Sequence, residues 1–132
     1  EKKSPNWLAA DGNQIEEKIV SLAKEGKRES EIGRVLRDTL GVTSTKFVLG
    51  KKISQILAEK KLSPQYPSDL IDLIRRAVNL RKHIKNNSRD TANKTKLGHV
   101  ESKIKRLVKY YRGNKLPAKW KYEPEKAALL VK

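Results

Sequence analysis

His83, Asp90 and Asn93 are the residues whose types and spacing could do chemistry: an imidazole, a carboxylate seven residues later and an amide three beyond that. They flank the polar stretch Asn86-Asn87-Ser88-Arg89-Asp90-Thr91, which separates two runs of helical periodicity, so they meet at one end of whatever those runs build. The carboxylate is electrically out of place. Residues 75–121 hold sixteen Lys and Arg against two acids, Asp90 and Glu101, and so carry fourteen of the sixteen net positive charges. On a surface suited to phosphates, an acid accepts hydrogen bonds from something specific, such as guanine amino groups or ribose hydroxyls in the wide minor groove of an RNA helix. The alternative is that Asp90 caps the following helix while His83 packs on the loop, and spacing alone leaves both open.

Catalysis finds less support. The two histidines, His83 and His99, lie sixteen residues apart without clustered acids. There is no Cys, no Ser-His-Asp arrangement, and Gly50-Lys51-Lys52 lacks both the upstream glycine and the Ser/Thr of a phosphate-binding loop. No enzyme, cofactor, metal site or small-molecule substrate is expected. Aromatic residues are only 5% of the chain, which argues against a stacking platform for single strands and for recognition of helical RNA by backbone and groove shape.

The elements that position these residues follow from apolar spacing. Leu70, Leu73, Ile74, Ala77, Val78, Arg81 and Ile84 trace one long helix, with Ser68 as its cap. Leu97, Val100, Ile104, Leu107, Val108 and Tyr111 trace a second, ended by Gly113-Asn114 and Pro117. Two long helices joined by a short loop lie antiparallel, seam to seam. The cations Arg81, Lys82, Arg89, Lys94, Lys96, Lys103, Lys105, Arg106, Lys109 and Arg112 then cover a rigid hairpin. A solvated helix face is the ordinary meaning of such charge, but solvated faces mix Glu with Lys, and this one has almost none. Phosphates are the expected partner, because neutralising them releases condensed counterions.

Upstream, residues 4–11 read as an extended arm with Pro5 and Trp7. Asp11 with Gln14 resembles a capping box for a helix through Ile15, Ile19, Leu22 and Ala23, stopped by Gly26. A second helix begins near Ser30, with Ile32, Val35, Leu36 and Leu40 inward and Gly41 as its exit. A third runs from about Thr45, breaks or bends at Gly50 and continues to Lys61. Pro64 and Pro67 mark a boundary. The expected fold is all-α: an N-terminal arm and subdomain of short helices (1–62), a long antiparallel hairpin core (63–114) and an extended C-terminal tail (115–132). In the tail, Ala127 to Val131 docks as a strand or single turn.

No apolar run reaches the roughly 20 residues of a membrane span, and the composition fits a soluble, intracellular, reducing setting. The sequence contains no Met, so a further N-terminal arm is expected before its first residue. The matches Asn86-Asn87-Ser88 and Asn93-Lys94-Thr95 are chance in a non-secreted protein.

Several motifs together resemble a known family. Arg81-Lys82-His83, Asp90, the run 101–111 (Glu101-Ser102-Lys103-Ile104-Lys105-Arg106-Leu107-Val108-Lys109-Tyr110-Tyr111) and Leu116-Pro117-x-x-Trp120-Lys121-Tyr122-Glu123 are similar to ribosomal protein fifteen of the small subunit, in its long archaeal and eukaryotic form, counted as thirteen in eukaryotes. Residues 63–114 resemble the core shared with bacteria. Residues 7–62 and 115–132, including Ile32-Gly33-x-x-Leu36-Arg37-Asp38 and Gly41-Val42, resemble the extensions of that branch. The resemblance implies binding to the central domain of small-subunit ribosomal RNA early in assembly, at a three-way junction and an adjacent minor groove, among neighbouring ribosomal proteins in the cytoplasmic small subunit. It implies a minor-groove role for His83 and Asp90 and a junction contact for Tyr110. Asn93 stands where bacterial members have serine, and Asp69 where they have glutamine, so junction contacts of residues 63–69 do not transfer.

A rival expectation is a helix-turn-helix regulator of transcription in residues 30–60, built on Ser30-Glu31-Ile32-Gly33-x-x-Leu36 and Gly41-Val42-Thr43. Its second helix offers Phe47, Val48 and Leu49 rather than base-reading side chains.

Overall fold

The computed structural model describes Leu8 and residues 11–131. The arm with Pro5 and Trp7 lies outside the described residues. Seven helices and no strand occur among those described, and they fall into two compact units, Glu1–Ser63 and Pro64–Lys132.

In the first unit, α1 (Gly12–Lys24) buries Ile15, Ile19 and Leu22, which recur every three or four residues and so share one face. Asp11 occupies its N-cap with extended backbone but makes no side-chain capping bond. The expected box with Gln14 is therefore not formed; residues 11–14 are exposed, where water can satisfy the first N–H groups. In α2 (Glu29–Leu40), Glu31 Oε2 accepts from the Arg28 N–H at 3.1 Å, and Ile32 and Leu36 point inward. Gly41, with φ of 68°, ends it in the left-handed conformation that favours glycine. Gly50, with φ of 69°, separates α3 (Thr45–Leu49) from α4 (Ile53–Glu59). Ile15, Ile19, Leu22, Ile32, Leu36, Val42, Ile56 and Leu57 form one core, and Val48 and Leu49 pack against it. With five residues, and with Val48 and Leu49 turned to this core, α3 has little to insert into a DNA groove as the rival reading requires.

The second unit is built on α5 (Ser68–Asn86) and α6 (Thr91–Tyr111). Pro67, not Ser68, is the N-cap, and Ser68 is already helical. Three cross-helix pairs fix the antiparallel register: Asp69 with Tyr111, Arg81 with Glu101 and His83 with Asp90, so partners advance along α5 as they retreat along α6. The seam buries Leu70, Ile74, Ala77, Val100, Ile104 and Val108. Each fully buried Leu or Ile contributes about 1.5–3 kcal/mol relative to exposure, which makes the seam the source of the hairpin's stiffness.

The tail departs from the extended expectation. After Gly113, with φ of 83°, Leu116 folds back to donate its N–H to Tyr111 O and becomes buried. Residues 117–123 are irregular, and Pro124 then opens α7 (Pro124–Leu130), a first-turn position where its missing N–H costs nothing. Ala127 joins Leu70, Ile74 and Ala77 in the core, and Leu130, Val131, Trp120 and Tyr122 pack against it. The apolar run Ala127 to Val131 is thus mostly helix, because its buried residues meet α5 rather than a sheet edge. No helix among the described residues is long and apolar enough to cross a membrane.

A candidate nucleic-acid interface

The loop end of the hairpin holds a connected polar cluster. Asp90 Oδ1 accepts the Asn93 N–H at 3.0 Å and so caps α6. Its other oxygen, Oδ2, lies 2.8 Å from His83 Nε2 and accepts from Asn93 Nδ2 at 2.6 Å. Asn87 donates its side-chain N–H to the His83 carbonyl at 3.2 Å, and its backbone carbonyl accepts the Asp90 N–H at 3.1 Å. The bond to His83, then the backbone and side-chain bonds from Asn93, hold the Asp90 carboxyl down to about 2, from an ordinary 3.8. A carboxylate offers about four lone-pair sites and three are engaged, so one remains on Oδ1. Capping and outward hydrogen bonding are therefore compatible. The Asp90 side chain is 29% exposed and that of His83 43%, which leaves the cluster open to a ligand.

Along α6 the cations sort into flanks. At about 100° per residue, Lys96, Lys103 and Tyr110, each seven residues apart, drift only about 20° per step and share one side, with Arg106 next to them. Lys94, Lys105 and Arg112 line the nearly opposite side, at intervals of eleven and seven residues. Lys109 and the small residues Thr95, Gly98 and Ser102 lie between. All of these cations are exposed, as are Lys82 and Arg89. Tyr110 is 73% exposed and stands edge-on to Tyr111, with ring centroids 5.1 Å apart. Tyr111 is itself tied down: its hydroxyl donates to Asp69 Oδ2 at 2.5 Å, and this bond, ahead of burial, raises it to about 12. Asp90 and Tyr110 are separated by nearly the whole of α6, roughly 30 Å at 1.5 Å per residue.

Arg81 is placed differently from the other candidate cations. Its Nε and Nη2 both donate to Glu101 Oε1, clasping α5 to α6. The Tyr122 hydroxyl is buried close to this pair, without a hydrogen bond of normal geometry, and burial followed by the Glu101 charge pushes it up.

A family model described as Ribosomal protein S15 matches residues 52–130, and one described as Ribosomal S13/S15 N-terminal domain matches residues 1–42. The chain belongs to the ribosomal protein S15 family. The small ribosomal subunit protein uS15 of Methanoregula boonei is 50% identical over 130 residues, covering 98% of this chain and 86% of that protein. That of Methanobrevibacter smithii is 46% identical over 129 residues, covering 97% and 98%. That of Brugia pahangi is 45% identical over 128 residues, covering 96% and 85%. Archaeal and eukaryotic relatives thus match across nearly the whole chain, both units included.

In this S15-family chain the structure brings His83, Asp90 and Asn93 together, with Arg89 beside them in the loop, and sets Tyr110 at the far end of α6. Sequence reasoning missed Asn87, Asp69 and Glu101 as members of these clusters. The signal for Glu101 was present: it is one of two acids in a basic stretch, three residues before the seam residue Ile104.

Proposed function

We propose that this S15-family chain is a structural constituent of the small ribosomal subunit that binds small-subunit ribosomal RNA through α5 and α6. In this reading it grips a three-way junction and the adjacent minor groove in the central domain, and stabilises that fold during assembly. The observation that carries the reading is the Asp90 cluster: a charged, partly exposed acceptor held rigidly by His83 and Asn93 in a stretch, residues 75–121, that holds sixteen Lys and Arg against one other acid, Glu101. Lys96, Lys103 and Arg106 supply phosphate contacts on the side that also presents Tyr110. Neighbouring ribosomal proteins complete its surroundings.

The test separates cap from contact. Ser is as good an N-cap as Asp, so Asp90→Ser keeps α6 intact while removing the second oxygen and the charge. Its affinity for a central-domain junction RNA should fall about 5- to 150-fold, with random duplex RNA hardly affected. Equal losses on both RNAs, or none on the junction, would reduce Asp90 to a cap.

A further inference from the structure

The first unit's charge is also unevenly spread. Residues 1–42 hold eight basic and eight acidic side chains, whereas residues 43–63 hold Lys46, Lys51, Lys52, Lys60 and Lys61 against Glu59 alone. All five lysines are exposed. Between α1 and α2 and on α2 itself, opposite charges sit together, as in Lys27 with Glu25 and Arg37 with Asp38. On α3 and α4 only Lys51 is paired: its Nζ lies 2.9 Å from Glu59 Oε2, which carries the Lys51 side chain along α4 toward Lys60. Lys46, Lys52, Lys60 and Lys61 have no ion pair with an acid among the described residues. Because α4 is only about 10 Å long, Lys51 and Lys52 at its start and Lys60 and Lys61 at its end lie within a short distance along its axis, and Lys46 is one short turn upstream of Gly50.

Fold stability does not account for this cluster. Cations at a helix C-terminus complement its dipole, which suits Lys60 and Lys61, but Lys52 is the N-cap of α4, the end where a cation is disfavoured. Lys61 has φ of 57° and closes α4 with Leu62 N–H bonded to Leu57 O, the place usually given to glycine. The chain thus keeps a lysine there against its own backbone preference, and crowds like charges with one compensating acid.

We propose that the α3–α4 lysine cluster is a second phosphate-binding surface, which takes the sugar-phosphate backbone of a further segment of the RNA that the hairpin binds. It rests on the ribosomal-RNA reading above. The recognition is sequence-independent, since the cluster offers point charges and no base-reading fork.

The test uses the full chain with all four unpaired lysines, Lys46, Lys52, Lys60 and Lys61, changed to Gln, and a full-length small-subunit ribosomal RNA transcript. At about 0.9 per neutralised phosphate, the slope of log affinity against log salt should become shallower by roughly 3 to 4, with affinity near 0.15 M salt dropping about fivefold for each phosphate the variant leaves unneutralised. The chain has no Cys, so Lys60→Cys carries an iron-EDTA probe at one place only. Hydroxyl radicals from it should cut the bound RNA at positions distinct from those cut from Ser102→Cys on α6. An unchanged slope together with cleavage from position 102 but not 60 overturns this proposal and leaves the hairpin reading standing; an acidic protein as the true partner would give that pattern. No cleavage from either position overturns both.

Discussion

The two flanks of α6 make the sharpest use of the structure. Neutralising Lys96, Lys103 and Arg106 by Gln removes three exposed cations from the side that carries Tyr110, whereas Lys94, Lys105 and Arg112 to Gln removes three from the other. Net charge changes equally, so any difference reports where RNA lies rather than the general field. Leaving three phosphates unneutralised flattens the salt slope by about 2.7; if both proteins bind alike near 1 M salt, the Tyr110-side variant then binds roughly a hundredfold more weakly at 0.15 M. The opposite variant should change the slope by less than about one. The assay is filter binding or fluorescence titration of the full chain with a central-domain junction RNA across 50 to 500 mM KCl, with helicity checked by circular dichroism. Equal slopes for the two variants would refute the assignment of one flank to the RNA, and a larger loss from the opposite variant would reverse it.

The remaining expectations concern the hairpin itself. Its folded pKa is depressed, so Asp90 contributes stability that is present above its ordinary 3.8 and is lost as pH falls toward about 2; carbon NMR of the carboxyl should show a midpoint near 2, and one near 4 would deny the His83 and Asn93 bonds. The Tyr111 phenol is raised, so its contribution holds below pH 10 and disappears as pH rises toward 12. Tyr111→Phe should cost about 1 kcal/mol in chemical denaturation at neutral pH and abolish that alkaline step, while an unchanged step would place its origin elsewhere. Glu101→Gln should lower stability by about 0.2–1 kcal/mol, since the clasp with Arg81 is partly solvated. A melting temperature indistinguishable from that of the parent chain would show that the seam alone holds the two helices in register.

Local signals were legible and distant pairings were not. Ile15, Ile19 and Leu22, or Val100, Ile104 and Val108, are spaced so regularly that a helix is the only element that puts them on one face. Gly41 and Gly50 stop helices for a reason visible in the residue itself. His83, Asp90 and Asn93 could be gathered because one loop joins them. Asp69 and Tyr111, 42 residues apart, meet only because the hairpin closes in a particular register, which depends on seam packing that no local pattern encodes. The Arg81–Glu101 clasp across twenty residues has the same origin, and it takes from the RNA candidates a side chain that composition counts as free. In the tail, Pro124 was a helix-start signal, but seven residues with a single fully buried alanine give too short a period to tell two helical turns from a strand.

Closing the second core with α7 has a consequence for manufacture. Ala127 covers Leu70, Ile74 and Ala77 from a position made after both helices of the hairpin. While a polypeptide is being synthesised, the first unit has all of its core residues before α5 begins, but α5 and α6 emerge with an apolar strip still wet until α7 follows. For that interval the most cationic stretch of the chain is also its least finished.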